Sequence, residues 1–228
     1  ADSDGEEGKY YVYTYEQIKD LENIDKFFEI KPEGNWENKI ILVEKKKPNK
    51  EIIKKLLSIR SKRNKPFFDD KTQLDLNCLW ISSLVQVDEI LPGKGYLKLA
   101  EEFFLRIEKK YINKKLYHSY SKEIVFIEDY AFLINALNDL HDKTMNFKYK
   151  DLALKMTNEA ISKFFLKDKN IFQKNPLDND DVFFKPIDIG DSTIPNGNAI
   201  MLINFVRMGM MDMAEKLSAS LNSYLNIY

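Results

Sequence analysis

Three segments of this chain are apolar around nearly the whole circumference of a helical wheel, and each is followed by a segment with a single apolar stripe. In the first, Leu74, Leu76, Leu79, Trp80, Ile81, Leu84, Val85, Val87 and Ile90 leave almost no polar face. A helix of that kind is surrounded by protein. Tyr130, Phe132, Leu133, Ile134, Leu137 and Leu140 repeat the pattern, as do Ile200, Met201, Leu202, Ile203, Phe205 and Val206. The segments that follow differ. Tyr96, Leu99, Ala100, Phe103, Ile107 and Tyr111 form one stripe beside Lys98, Glu101, Glu102, Glu108 and Lys109; Leu152, Met156, Ala160 and Phe164 form a second, and Met213, Leu217, Leu221 and Tyr224 a third. An inner helix followed by an outer one, three times over, is the repeating unit of an α/α toroid.

Polar residues gather where the inner helices begin. Thr72 and Asp75 have the spacing of a capping box, which places Asp69, Asp70 and Lys71 at or just before the positive end of the first inner helix. Glu128 and Asp129 open the second, and Pro195, Asn196, Gly197 and Asn198 mark the start of the third. Inner helices of a toroid run parallel and bring their first turns to one rim. Asp69, Asp70, Lys71, Asn77, Glu128, Asp129, Asn196 and Asn198 are therefore expected to converge on one funnel. In an ordinary helical array the same residues would only cap their helices.

At 228 residues, 44% of them hydrophobic, the chain is long enough to bury a sizeable core in one or two domains. A net charge of −1 gives no reason to expect nucleic acid or an anionic membrane as partner. There is no run of about 18 apolar residues to span a bilayer. The single cysteine, Cys78, excludes an internal disulfide, favours a reducing, cytoplasmic setting, and sits where a packing residue belongs.

The first residues, ADSDGEEGKYYVY, open without a methionine, so a further segment is expected upstream. Glu6 and Glu7 lie in a carboxylate-rich loop that either presents acids to a polar ligand or is a solvated turn; the spacing is not that of a calcium loop. A strand is expected at Tyr10–Tyr13, a short helix over Tyr15–Leu21, and a β-hairpin over Phe27–Val43 about Pro32 and Gly34. Trp36, near its tip, offers a flat face for a sugar or simply packs. From Glu44 to Lys65, basic residues surround the stripe Ile52, Ile53, Leu56 and Leu57; lacking interleaved aromatics, they read as a solvated face rather than a phosphate patch. The loops Ile112–Tyr120 and Ile171–Ile187 carry short apolar pieces suited to strand pairing. His118 and His141 are the only histidines and have no partner at zinc-ligand spacing. No phosphate loop, nucleophile elbow or CxxC pair is present, so no metal and no cofactor is expected.

The blocks ADSDGEEGKYYVYT, GNWENKIIL, RSKRNKPFFDDKTQLDLN, FIEDYAFLINAL and IPNGNA, in that order and over nearly the whole chain, resemble those of the YyaL-like, or spermatogenesis-associated protein 20-like, family of thioredoxin-domain-containing proteins. The resemblance implies a thioredoxin-like domain followed by an (α/α)6 barrel similar to six-hairpin glycosidases and to N-acylglucosamine 2-epimerase. Residues 1–228 would then be the middle and C-terminal part of that barrel, a mainly all-α partial toroid with short β-hairpins in its loops. The thioredoxin-like domain, expected upstream, is absent from this stretch. Three departures stand out: Leu76, Asn77 and Cys78 replace the family's Trp-Asn-Gly, Tyr13 stands where a Trp is usual, and Asn196 where a Ser is usual. Glu6, Glu7, Asp69, Asp70, Glu128 and Asp129 all match.

The expected activity is carbohydrate-directed. Glycoside hydrolysis needs one carboxylic acid and a second carboxylate, here Asp70 with Glu128 or Asp129. Glu6, Glu7, Trp36, Asp69, Lys71, Asn77, Tyr130 and Asn198 would contact a small, sugar-like ligand. An epimerase-like isomerase would need a base, commonly histidine. His118 lies in a loop where the family more often has Arg, and His141 falls at the wrong end of its helix, so that reading rises only if one of them lies in the funnel. The remaining alternative is a non-catalytic module partnered by its own upstream thioredoxin-like domain.

Overall fold

The computed structural model describes residues 2–112, 115–119, 124–178 and 186–225. Parts of the two loops expected to carry strands lie outside them. The chain forms two compact units, Ala1–Asp70 and Lys71–Tyr228.

In the first unit, strands β1 (Asp2–Ser3) and β2 (Glu6–Glu7) pair antiparallel about Asp4 and Gly5, both at positive φ (53° and 76°). Only glycine takes that backbone without steric cost. Helices α1 (Tyr15–Ile18) and α2 (Ile24–Phe27) follow, then β3 (Phe28–Glu29) and β4 (Val43–Glu44), which pair antiparallel and close the expected hairpin. Helix α3 (Lys50–Ser61) is capped by Asn49, whose side chain accepts from the Ile52 N–H at 2.9 Å. The core comprises Tyr13, Ile18, Ile24, Phe28, Ile40, Ile52 and Leu56. Tyr10 and Tyr11 are not a strand. Arg63 gathers the Lys9, Tyr10 and Val12 carbonyls onto one guanidinium nitrogen, which bends this stretch into a turn and leaves Tyr13 to bridge to Ile40.

The second unit is built from three helical hairpins. Helices α4 (Leu74–Ile90) and α5 (Tyr96–Tyr111) form the first, α6 (Ile127–Thr144) and α7 (Phe147–Phe164) the second, α8 (Gly197–Arg207) and α9 (Met211–Leu225) the third. Strands β5 (Phe165–Leu166) and β6 (Ile171–Phe172) form a short antiparallel pair after α7. Helix α6 packs against α4 on one side and α8 on the other, with α7 behind it. Its all-round apolar sequence is the reason: Tyr130, Phe132, Leu133, Ile134, Leu137 and Leu140 are all essentially inaccessible. Burying each such side chain stabilises by roughly 1.5–3 kcal/mol, which fixes α6 as the central rod. Asn204 on α8 ties the two inner helices together by donating to the Ala131 carbonyl at 2.9 Å while accepting from Asn138 at 3.3 Å.

Two expectations need correction. Thr72 and Asp75 do not form a capping box: α4 begins one residue later, behind Gln73, and the Thr72 hydroxyl bonds Tyr111 on α5 instead. Nor is α4 enclosed on every side. Leu76, Trp80 and Ile90 are 46%, 50% and 78% exposed, and Ile203 and Val206 on α8 are also exposed. Helix α6 has neighbours on both flanks, whereas α4 and α8 each flank it on one side.

Candidate active site

The first turns of the three inner helices meet at one pocket of about 220 Å³. Asp75 reaches it from α4, Phe126 and Glu128 from the start of α6, and Asn196 from the cap of α8; His118, Lys174, Asp188 and the stretch Gly190–Pro195 complete the wall. Backbone hydrogen bonds set this geometry. The Leu74 N–H donates to the His118 carbonyl (2.9 Å), hanging the His118 loop on the start of α4, and the Ile127 N–H donates to the Lys174 carbonyl (3.1 Å), doing the same for Lys174 at the start of α6. At α8, the Asn196 side chain accepts from the Asn198 and Ala199 N–H groups at 2.9 and 3.2 Å.

Glu128 is the chemically distinctive residue. It is only 8% exposed, and its Oε2 is buried without a hydrogen-bond partner. Burial pushes its carboxyl above the usual range, against the lowering pull of Lys174. Room for it depends on Gly197, where a Cβ would stand 3.3 Å from Glu128 Oε1 and 3.1 Å from Ile127 Cγ2. Beside it, Lys174 and Asp188 form an ion pair at 2.9 Å.

Asp129 is completely buried and does not line the pocket. Its Oδ2 accepts from the Phe126 N–H (2.8 Å), half of a capping box, and its Oδ1 bonds His118 Nδ1 (2.9 Å). His118 Nε2 in turn meets the Gln73 amide at 2.8 Å, so both ring nitrogens are engaged. The bond to Asp129 raises the pKa of His118, and burial raises that of Asp129. Asp75, 7% exposed, has a hydrogen bond from the Leu76 N–H (2.8 Å) and lies 4.0 Å from His118 Nδ1. The donor atoms of Asp75, His118 and Asp129 fall within 4.8 Å of one another, close enough for a cation, but the hydrogen bonds of His118 and Asp129 are complete without one.

Of the residues expected at a site from sequence, Glu128 and Asn196 line the pocket. Asn198 does not: its side chain, 2% exposed, accepts from the Phe172 N–H and donates to the Phe172 and Asp188 carbonyls, holding Asp188 in place. The Tyr130 hydroxyl faces α7, accepting from Lys163 at 2.9 Å and donating to Glu159 at 3.2 Å. Asn77 donates to the Gln73 carbonyl and Lys71 is exposed. Asp69 and Asp70 are exposed at the end of the first unit, where Glu6 is ion-paired with Lys9 (2.7 Å) and Lys39 (2.9 Å), Glu7 is exposed, and the Trp36 ring stands over Gly8. The lysines hold the Glu6 carboxyl down to about 2. His141 bonds the Asn146 carbonyl at the far end of α6. Cys78 is buried, and burial pushes its thiol well up, as befits a packing residue. Asp75, Lys174 and Asp188 are the site residues that sequence reasoning passed over, and His118, weighed there only as a base for an epimerase, lies on the pocket wall. Asp75 alone carried a positional signal, as an acid in a first turn.

No family model matches the chain, and no curated protein matches it. Solved structures do. A sugar epimerase from a ruminal bacterium superposes with a TM-score of 0.51 at 17% identity, covering 69% of this chain and 44% of that one. Cellobiose 2-epimerase from Bacillus thermoamylovorans gives 0.51 at 17% identity over 67% and 44%, and a GH76 α-mannanase from Bacteroides thetaiotaomicron 0.50 at 13% over 72% and 46%. The chain thus spans less than half the length of each. The likeness establishes the architecture: a mainly helical, partial toroid of helical hairpins, like part of the six-hairpin glycosidase-like (α/α)6 fold.

Proposed function

We propose that the second unit binds and processes a sugar-like ligand in the pocket at the first turns of α4, α6 and α8. The observation that carries this reading is Glu128: a carboxyl buried at the N-terminus of the central helix, with one oxygen unpartnered and its pKa raised by burial. A carboxyl that burial makes hold its proton more firmly is suited to leaving-group protonation. Asp75 on the neighbouring helix α4 is the candidate second carboxylate, a part that Asp129, with both oxygens bonded, is poorly placed to play. Lys174, Asp188 and Asn196 are suited to bind hydroxyls, and Phe126 to pack against a ring face. The structural neighbours, two sugar epimerases and a mannanase, agree with the reading.

Hydrolysis of a panel of glycosides, with calorimetric binding of the corresponding monosaccharides, tests it. Glu128→Gln is expected to lower turnover by about 10²–10⁴-fold while sparing binding. Asp75→Asn should also lose activity, and Asp70→Asn shows whether the acid favoured by sequence has a share. A wild-type protein that neither binds nor cleaves any sugar would end the reading.

An epimerase-like reading gains from the presence of His118 on the pocket wall. To accept a proton from carbon, its Nε2 would have to leave Gln73. Exchange of a substrate C–H with deuterated solvent, abolished in His118→Asn, is the outcome that favours this alternative. The YyaL-like resemblance adds a thioredoxin-like domain upstream; with it, the pocket would serve that domain as a ligand-binding module.

A further inference from the structure

We infer that the pocket selects a cationic single ring, an amino sugar with a free ammonium group, over its neutral or anionic counterparts. This rests on the sugar reading above and narrows it. Among the described residues, four acidic side chains, Asp75, Glu128, Asp129 and Asp188, gather at or beneath this pocket with two basic ones, His118 and Lys174, which are already engaged with Asp129 and Asp188, each at 2.9 Å. Asp75 is left with one backbone donor and an imidazole nitrogen 4.0 Å away. Glu128, more than nine-tenths buried, has an oxygen that receives no donor at all.

The positive ends of α4 and α6 offset part of this charge, about half a unit each. They do not supply the missing hydrogen bond, and at α6 the Phe126 N–H is already spent on Asp129. An acceptor buried without a donor destabilises, more so when it is charged. An ammonium brings three donors and a positive charge, where a hydroxyl brings one donor and a carboxylate or phosphate brings none. Size limits the ligand as well: about 220 Å³ falls below the roughly 300–1,000 Å³ of sites that take drug-sized molecules. One six-membered ring against Phe126 is the scale that fits.

Calorimetry on the full chain at about pH 6, where an amine of ordinary pKa is charged, would compare glucose, galactose and mannose with their 2-amino, 2-acetamido and uronic acid forms. At least one amino sugar is expected to bind about tenfold more tightly than its parent, with the acetamido form losing that gain and the uronate binding weakest. Asp75→Asn should erase the preference and Asp75→Glu retain it, with Glu128→Gln as a second probe should the Asn variant fail to fold. Parent hexoses binding as tightly as amino sugars, or uronates more tightly, would overturn the inference and leave the sugar reading standing. Failure of every sugar to bind would remove both.

Discussion

Asp129, Glu128 and His118 share a sign: each holds its proton more firmly in the folded chain than in the unfolded one. Burial does this for the two acids and the bond to Asp129 does it for His118, with Asp75 and Glu128 adding to the negative field around the imidazole. A group whose pKa is raised by folding stabilises the fold below its unfolded value, and that contribution is lost as the pH climbs through the folded value. The stability conferred by His118 is therefore complete below about pH 6.5 and declines above it. Urea unfolding across the neutral to mildly alkaline range is expected to show wild-type stability falling, with a shallower fall in His118→Gln. Gly197 offers a second test. Alanine there gains up to about 1 kcal/mol of helix propensity, but its Cβ would press on Ile127 and Glu128 Oε1. Because these effects oppose each other in stability, Gly197→Ala should shift the melting temperature little and, on the proposed function, lower turnover markedly, as Glu128 is displaced.

Helix α8 separates capping from stapling at adjacent polar positions. Asn196→Ala removes two N-cap hydrogen bonds and is expected to cost about 1 kcal/mol in chemical denaturation. Asn198→Ala strands the Phe172 N–H and carbonyl in the interior and frees the part-buried Asp188 carbonyl, for a loss of roughly 3 kcal/mol. That difference also marks how far sequence alone could reach. Apolar periodicity locates α4 to α9, because a stripe or an all-round apolar surface directly reports burial. Glu128 and Asp129 were legible as first-turn acids, yet nothing in their spacing reveals that Asp129 spends both oxygens on the fold while Glu128 keeps one free. His118 and Lys174 sit in loops, where no period exists to read, and what makes them site residues is a backbone bond to a distant helix start. The exposed flank of α4 was missed for a related reason: a wheel of Leu76, Trp80 and Ile90 calls for neighbours without showing whether they are there.

Taken whole, the chain has two cores that share no residue, one around Ile18, Ile40 and Leu56, the other around α6. The stretch before α4 has no regular structure, and Phe67 and Phe68 there are 86% and 81% exposed. Brief chymotrypsin treatment is expected to cut at this pair first and leave a fragment from about Asp69 onward that keeps its helical circular dichroism; first cleavage within α4 to α9 would contradict the division into units. The two tryptophans fall one to each unit, Trp36 in the small hairpin and half-exposed Trp80 on α4. Each unit thus carries its own indole chromophore, and replacing Trp36 by Phe would let emission from Trp80 follow the unfolding of the helical-hairpin unit alone, with no label attached.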